Sequence, residues 1–311
     1  MTAPIPHLPS ASCDPLGTGD LAAEITAQLG TQLRRVRLHG FRRPDAPVPT
    51  LVAVAHGSRD PRALPTVRAL LDRVRALRPG LPVRLGHLEL NRPLLTDTLA
   101  GLRGAAVLVP LLFGRGHHVT HDLPAALAAA PQLTGRVAAP LGPHPLLAEA
   151  LHARLLEAGF PGAPSPRTAV VLAAAGSRAP RSAHDTERIA RLLSHRLGGT
   201  PVLPAYASAA RPSPATAPAR DAARRPAEIP TVPDAVRALT ARGHDRIAVA
   251  GCFTAPGRFA TQCAAAAPGT AAGPLGDHPA LARLVLHRYD QALLAPAGYD
   301  PEGIRAATVA V

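Results

Sequence analysis

Thr50-Leu51-Val52-Ala53-Val54-Ala55-His56-Gly57-Ser58-Arg59-Asp60-Pro61 changes the character of the chain. Its first half is a short, unbroken apolar run, the pattern of a strand buried on both faces in a parallel sheet. Its second half is a polar turn. Beyond it Leu64, Val67, Leu70, Leu71, Val74 and Leu77 recur at helical spacing, and Pro79-Gly80 stop the helix. Strand, polar turn and helix open a βαβ unit, and reading outward repeats that unit. Val83–Leu88 is a second strand, Leu94–Leu102 a second helix and Ala105–Phe113 the most apolar strand. A polar loop, Gly114–Asp122, leads into a helix over Pro124–Ala130, a fourth strand over Arg136–Pro140 and a closing helix over Leu146–Ala158. The alternation predicts an α/β fold with a parallel sheet covered on both faces.

The same opening returns farther on. Val170–Ala174 followed by Ala175-Gly176-Ser177-Arg178 repeats Ala53–Ala55 followed by His56-Gly57-Ser58-Arg59, at an offset of 119. Tyr206-Ala207-Ser208-Ala209-Ala210-Arg211-Pro212 stands where His87-Leu88-Glu89-Leu90-Asn91-Arg92-Pro93 stood, at the same offset. Ile247–Phe253 repeats the Ala105–Phe113 strand. Gly273-Pro274-Leu275-Gly276-Asp277-His278-Pro279 repeats Ala139-Pro140-Leu141-Gly142-Pro143-His144-Pro145 at an offset of 134. One repeat is one domain long, so this is a tandem duplication rather than a solenoid. Two lobes follow, 50–160 and 168–295, the second interrupted by a Pro-, Ala- and Arg-rich insertion over 213–230 that reads as an exposed, mobile loop. Residues 1–49 read as an appendix, partly disordered, with a short helix over Asp20–Leu38; 296–311 read as a tail.

Composition excludes several classes. The 311 residues are 47% hydrophobic and 18% charged, enough apolar material to build real cores. No apolar run approaches the ~18–20 residues of a membrane span, and residues 1–17 lack the apolar core of a secretory signal. Cys13, Cys252 and Cys263 form no CxxC pair, which argues against a disulfide framework and for the cytoplasm. The net charge of +13 suggests a nucleic-acid partner. However, every basic residue is arginine, and Ala, Pro and Gly abound, the signature of GC-rich coding. Tryptophan is absent and aromatics make up 3%, so stacking platforms for single strands are nearly missing. The excess arginine remains suited to an anionic small molecule.

The duplication supplies an internal comparison. Both halves keep their apolar strands and differ at the polar strand ends. His56 becomes Ala175, and Glu89 becomes Ser208. His117 and His118 fall opposite Arg258 and Phe259, while His121 and Asp122 fall opposite Gln262 and Cys263. These groups lie beyond the carboxyl ends of parallel strands, the edge where open α/β sheets bind ligands. The first half therefore holds imidazoles and a carboxylate that the second has lost. Such a donor set suits a first-row divalent metal, with coordination positions left open for a substrate. Plainer readings stand beside this one. His56 alone could be a turn histidine, Glu89 a helix-cap acid, and the His117, His118 and His121 group a polar surface loop. Ser58 is expected to cap the following helix, and Gly57-Ser58 is too little for a phosphate-binding turn. His144 and His278 recur in both halves, which favours a structural role. Cys252 falls in an apolar strand and reads as core.

The stretches Ala55–Pro61, Leu88–Pro93 and Pro110–Pro124, in this order and at these spacings, resemble the sirohydrochlorin chelatases of the class II chelatase group. The likeness is close over Thr50–Gly159 and weak over Thr168–Ala295. It implies two tandem flavodoxin-like, chelatase-like lobes facing one another. It implies a lyase that inserts Fe²⁺, Co²⁺ or Ni²⁺ into sirohydrochlorin, an eight-carboxylate reduced tetrapyrrole, for siroheme or cobalamin synthesis. Iron is taken first because siroheme is widely needed. Carried over residue by residue, His56 and His118 would bind the metal. Glu89 would serve as a ligand or as acceptor of pyrrole protons. Arg59, Arg92 and Arg115 would pair with substrate carboxylates, with Ser58, His117 and His121 nearby. One active site per chain is expected, between the lobes, in a monomer or homodimer. No permanent cofactor is expected, and a tail without His or Cys argues against an iron–sulfur cluster. The competing readings are a metal- or tetrapyrrole-binding carrier without turnover and, at a distance, a basic nucleic-acid binder.

Overall fold

Two parallel sheets organise the chain. The computed structural model describes residues 47–161, 165–177, 179–208 and 229–295. The helix expected over Asp20–Leu38, the appendix up to residue 46, most of the 213–230 insertion and the tail 296–311 lie outside the described residues. In the first lobe the elements are β1 (Thr50–Ala55), α1 (Ala63–Leu77), β2 (Val83–His87), α2 (Leu95–Ala100), β3 (Gly104–Pro110), α3 (Leu123–Ala128), β4 (Leu133–Val137) and α4 (Pro145–Glu157). In the second they are β5 (Thr168–Ala174), α5 (Pro180–Arg196), β6 (Val202–Tyr206), α6 (Val232–Ala241), β7 (Arg246–Gly251), α7 (Arg258–Ala265) and α8 (Pro279–Leu294).

The strand orders are β2-β1-β3-β4 and β6-β5-β7. All pairs are parallel, with Ala53 opposite Leu85 and Val109, and Leu172 opposite Pro204 and Ala250. This is the α/β architecture that the alternation predicts, and the two sheets share one topology, as a duplication requires. The second sheet has one strand fewer. Where β4 stands in the first lobe, the second keeps a single parallel bridge, Val249 to Ala271. The fourth strand of the first lobe ends earlier than its apolar run predicts. Ala138 and Leu141 continue the chain along the sheet edge through bonds to the carbonyls of Leu108 and Leu112.

Alternation along each strand sorts side chains into layers. Leu51, Ala53 and Ala55 face one way, with Val170 and Leu172 of the other sheet belonging to the same core. Val52 and Val54 face the opposite way, onto Leu95, Leu99 and Leu123. Ala169, Val171 and Ala173 face Val232, Ala235 and Cys263. The central core holds the apolar faces of α1, α4, α5 and α8 between the sheets. Each fully buried leucine there, such as Leu70, Leu151 and Leu193, contributes roughly 1.5–3 kcal/mol.

The last helix of each lobe packs across the duplication. α4 follows β4 but lies on α5 and β7, and α8 follows the second sheet but lies on α1, β3 and β4. Polar ties fix the exchange. Arg78 of α1's end grips Asp290 of α8 at 2.5 and 2.7 Å, and Tyr289 donates its hydroxyl to the Pro49 carbonyl at 2.6 Å. Arg154 of α4 donates twice to the Leu275 carbonyl, at 3.2 and 2.9 Å. The described residues from Val48 onward belong to one compact unit. His144 and His278 begin these two helices as N-caps. Each accepts a backbone N–H through Nδ1 at 3.1 Å, from Leu146 and Ala280. Burial holds both imidazoles below their ordinary range, His144 down to about 4, with Arg288 and His287 adding to the effect. Among the described residues, no helix is long and apolar enough to cross a membrane.

Candidate functional site

β1 and β3 are neighbours in space, and the strand order reverses between them. That reversal is the topological switch point, where the carboxyl ends of parallel strands open a crevice. His56 follows β1, Glu89 follows β2, and His118 lies beyond β3. Gly57 lets the first of these turns approach the second. Its φ is +106°, and a Cβ there would lie 1.9 Å from the Glu89 carbonyl oxygen, so both the conformation and the contact require glycine. Two backbone bonds then lace the turns, from Leu88 N to the Ala55 carbonyl at 2.9 Å and from Glu89 N to the His56 carbonyl at 3.0 Å. Asn91 completes the junction by accepting Ser58 N through Oδ1 at 2.7 Å. Between Glu89 and Asn91, Leu90 takes φ +66°. For a leucine this costs on the order of 1–3 kcal/mol, and such strain concentrates at ligand sites.

The three side chains converge. His56 Nδ1 stands 3.3 Å from Glu89 Oε1, and the rings of His56 and His118 meet edge to face with centroids 5.0 Å apart. His118 begins a single π-helical turn, His118–Asp122, which brings its Nδ1 to 2.6 Å from Asp122 Oδ2. π-turns favour functional sites because they re-aim a side chain. Each imidazole thus has a carboxylate at Nδ1. Giving Nδ1–H to that carboxylate leaves the lone pair on Nε2, the tautomer suited to a metal ion. The groups stay wet: His56, Glu89 and His118 expose 44%, 54% and 40% of their side chains. Among the described residues no three His, Cys, Asp or Glu side chains form a ready-made cage for a metal ion. The arrangement is an open pair of histidines rather than a closed site.

The remaining residues divide. His117 and His121 are exposed and stack on each other with centroids 4.6 Å apart, and His117 Nε2 is 3.6 Å from Asp122 Oδ1. Arg59 is exposed. Arg92 pairs with Asp97 at 2.7 Å on the surface, an ion pair worth at most about 1 kcal/mol and easily exchanged. Arg115 departs from the expectation that it offers its guanidinium to a substrate. It is 11% exposed and clamped to Asp185 of α5, which is fully buried. Its backbone N and Nε reach Asp185 Oδ2 at 3.0 Å each, and Nη2 reaches Oδ1 at 2.6 Å. Removing one partner of such a buried pair costs about 3–5 kcal/mol, so this arginine is committed. Ser58 also differs. α1 begins at Ala63 without a side-chain cap, and Ser58 Oγ instead accepts Asp60 N at 3.1 Å and donates to the Pro256 carbonyl at 3.3 Å. The serine joins the two lobes at the mouth of the crevice.

Sequence reading placed Asp122 at the ligand-binding edge without a role and passed over Asn91 and Asp185 as site residues. The i, i+4 spacing of His118 and Asp122 is a usable helical signal for the first. Asp185 lies 70 residues from Arg115, and no local pattern announces it.

The second lobe keeps the turn and lacks the donors. Gly176 has φ +107°, and its virtual Cβ faces Ser208 Oγ and O at 3.2 Å, but Ala175 and Ser208 replace the histidine and glutamate. Elsewhere in that lobe, against β7 and α7, a cavity of about 350 Å³ is lined by Arg62, Val249, Ala260, Cys263, Ala264 and Ala271. Its cause is legible. Ala260 and Ala264 stand where the first lobe has Val119 and Leu123, both fully buried. Arg62 is already held by Asp60 at 2.7 Å. The cavity is therefore missing packing rather than a charged receptor.

Known proteins share this fold. The CbiX family model matches residues 50–158. The sirohydrochlorin cobaltochelatase of Methanosarcina acetivorans is 28% identical over 123 residues, covering 35% of this chain and 95% of the relative, and that of Methanococcoides burtonii is equally similar. Among solved structures, the sirohydrochlorin chelatase SirB from Bacillus subtilis subspecies spizizenii, in complex with cobalt, superposes with a TM-score of 0.57 at 20% identity, covering 79% of this chain and 95% of that one. CbiX, described as the terminal enzyme for siroheme biosynthesis in denitrifying bacteria, superposes with a TM-score of 0.56 at 23% identity, covering 78% and 99%. The structures share the two-lobed fold, and the family model falls on the first lobe. Residues 50–158 thus match the CbiX family model, and the relatives this chain resembles are named sirohydrochlorin cobaltochelatases.

Proposed function

We propose that the chain is a sirohydrochlorin chelatase. It inserts Fe²⁺ or Co²⁺ into the tetrapyrrole at one site per chain, in the cytoplasm, as a monomer or homodimer. The observation that carries the reading is the convergence of His56, Glu89 and His118 at the switch point of the first lobe, with no counterpart donors in the second. Insertion exchanges two pyrrole N–H protons for one divalent ion. The ion is a substrate, so the protein must hold it and then let go. Two neutral imidazoles with open, hydrated surroundings suit that task, whereas a closed thiolate cage would retain the metal. In this reading His56 and His118 hold the ion through Nε2, and Asp122 fixes the His118 ring. Glu89 orients His56 and accepts protons leaving the ring nitrogens. Arg59 and Arg92 are the arginines left to meet substrate carboxylates.

The test is anaerobic incubation of the protein with sirohydrochlorin and each metal in turn, followed by absorbance. Many turnovers per chain are expected. A single stoichiometric uptake would make the protein a carrier, and His56→Ala and His118→Ala variants as fast as wild type would remove the site assignment. The ratio of rates with Fe²⁺ and Co²⁺ assigns the metal.

A further inference from the structure

We propose that Asp185, in the lobe without metal donors, is the positioning residue for the histidine loop of the other lobe. The inference rests on the reading of His56 and His118 as the metal-holding pair. Asp185 receives three hydrogen bonds from Arg115, one of them from the backbone N–H, and has no exposed surface. Arg115 lies three residues before His118. Its neighbour Gly114 lies against the same helix, where a Cβ would stand 3.2 Å from Ser182 Oγ. After Arg115 the chain turns at once: Val119 N and Thr120 N both bond the Gly116 carbonyl at 3.1 Å. Val119 is fully buried in the first lobe. His117 and His118 therefore hang between two pins, Val119 on their own lobe and Arg115 on the opposite one.

Asp122 cannot replace the second pin. It belongs to the same π-turn as His118 and moves with it. The 5.0 Å separation of the His56 and His118 rings depends on a contact from outside the turn, and the Asp185 carboxylate supplies it. The clamp has no reciprocal copy. Pro256 stands opposite Arg115 in the repeat, and Thr66 stands opposite Asp185. The second lobe has thus lost the donors and carries instead the carboxylate that holds the donor loop. Partners that orient metal ligands typically account for 10–100-fold in metal affinity or activity.

The experiment compares full-length wild type with Asp185→Asn, Asp185→Glu and the double variant Arg115→Met/Asp185→Leu. The double variant removes both buried charges together and keeps the fold available if the single variants do not fold. Anaerobic Co²⁺ titration followed by d–d absorbance reads the histidine pair, and insertion kinetics give KM for the metal separately from KM for sirohydrochlorin. Expected in the folded variants is a 10–100-fold weaker Co²⁺ site with a matching rise in metal KM, little change in KM for the tetrapyrrole, and partial recovery in Asp185→Glu. A folded Asp185→Asn or double variant with wild-type Co²⁺ affinity, spectrum and metal KM overturns the inference. His56→Ala and His118→Ala run in parallel. If they too behave as wild type, the metal-site reading itself has failed. If they lose Co²⁺ binding while the Asp185 variants keep it, only the positioning role is lost.

Discussion

The two lobes share a sheet topology, a glycine turn after the first strand and a histidine-capped last helix, yet only one presents the His56, Glu89 and His118 cluster. Gly57 and Gly176 have φ of +106° and +107°, so the backbone of the site survived in both copies. What changed is what the turns present: His56 and Glu89 in one, Ala175 and Ser208 in the other. A fold can therefore keep its crevice after losing its chemistry, because strand packing and turn geometry are selected by burial and not by the donors.

The largest effect expected from this contrast is on metal insertion. His118→Ala should lower kcat/KM by well over 100-fold, since even outer partners of ligands are worth about 10–100-fold. Phe259→Ala, at the matching place of the second lobe, should leave it within about threefold. Parallel steady-state assays check both, and equal losses would break the contrast. The glycines come next. Gly176→Ala should cost about 1–2 kcal/mol for its positive φ. Gly57→Ala should cost roughly 1–3 kcal/mol more, because its Cβ would displace the Glu89 backbone. Urea unfolding of the two variants measures the difference, and Gly57→Ala should also lose insertion.

A smaller effect concerns pH, and here the lobes should behave alike. His144 and His278 cap their helices as neutral acceptors and are held below the ordinary histidine range by burial. The unfolded chain binds protons first, so the stability they contribute is complete above about pH 6.5. For His144 it is lost as pH falls toward 4, and for His278 it declines in the same direction. Each cap is worth about 1 kcal/mol. Comparing unfolding free energies at pH 7.5 and 5 for wild type and His144→Asn, which keeps a capping acceptor, should show a flatter dependence in the variant. The smallest change is packing. Ala264→Leu restores in the second lobe the side chain that Leu123 supplies in the first, and should add about 0.5–2 kcal/mol by filling the cavity. A melting temperature at or below wild type would show that the cavity has collapsed or serves another purpose.

The strand–turn–helix order and the repeat were legible in the sequence because each depends on local pattern, and the cluster of His56, Glu89 and His118 because all three follow strands of one expected parallel sheet. Two-sided burial marks β1, β3 and β5, and the repeat exposes the residues missing from the second half, His56 and Glu89 at an offset of 119 and His118 opposite Phe259. Boundaries slipped where burial continues past the hydrogen-bonded ladder. β3 ends at Pro110 although apolar residues run on to Phe113, and β4 begins at Leu133, before its most apolar stretch. The π-turn at His118 was invisible because one extra residue in a turn leaves no periodic trace. The Arg115–Asp185 clamp and the exchange of α4 and α8 join residues far apart in the chain, and amphipathic spacing says that a helix has a buried face but not which sheet receives it.

That exchange has a consequence for how the chain comes apart. Severing the backbone between Glu157 and Thr168 would not liberate two self-sufficient halves. The amino-terminal piece would carry α4 with its partner sheet gone and would expose the side of α1 and β3 that α8 covers. The carboxyl-terminal piece would be stripped in the same way. Such fragments should recombine with each other sooner than persist alone, and the intact chain from Val48 onward should melt in one cooperative step despite its two sheets.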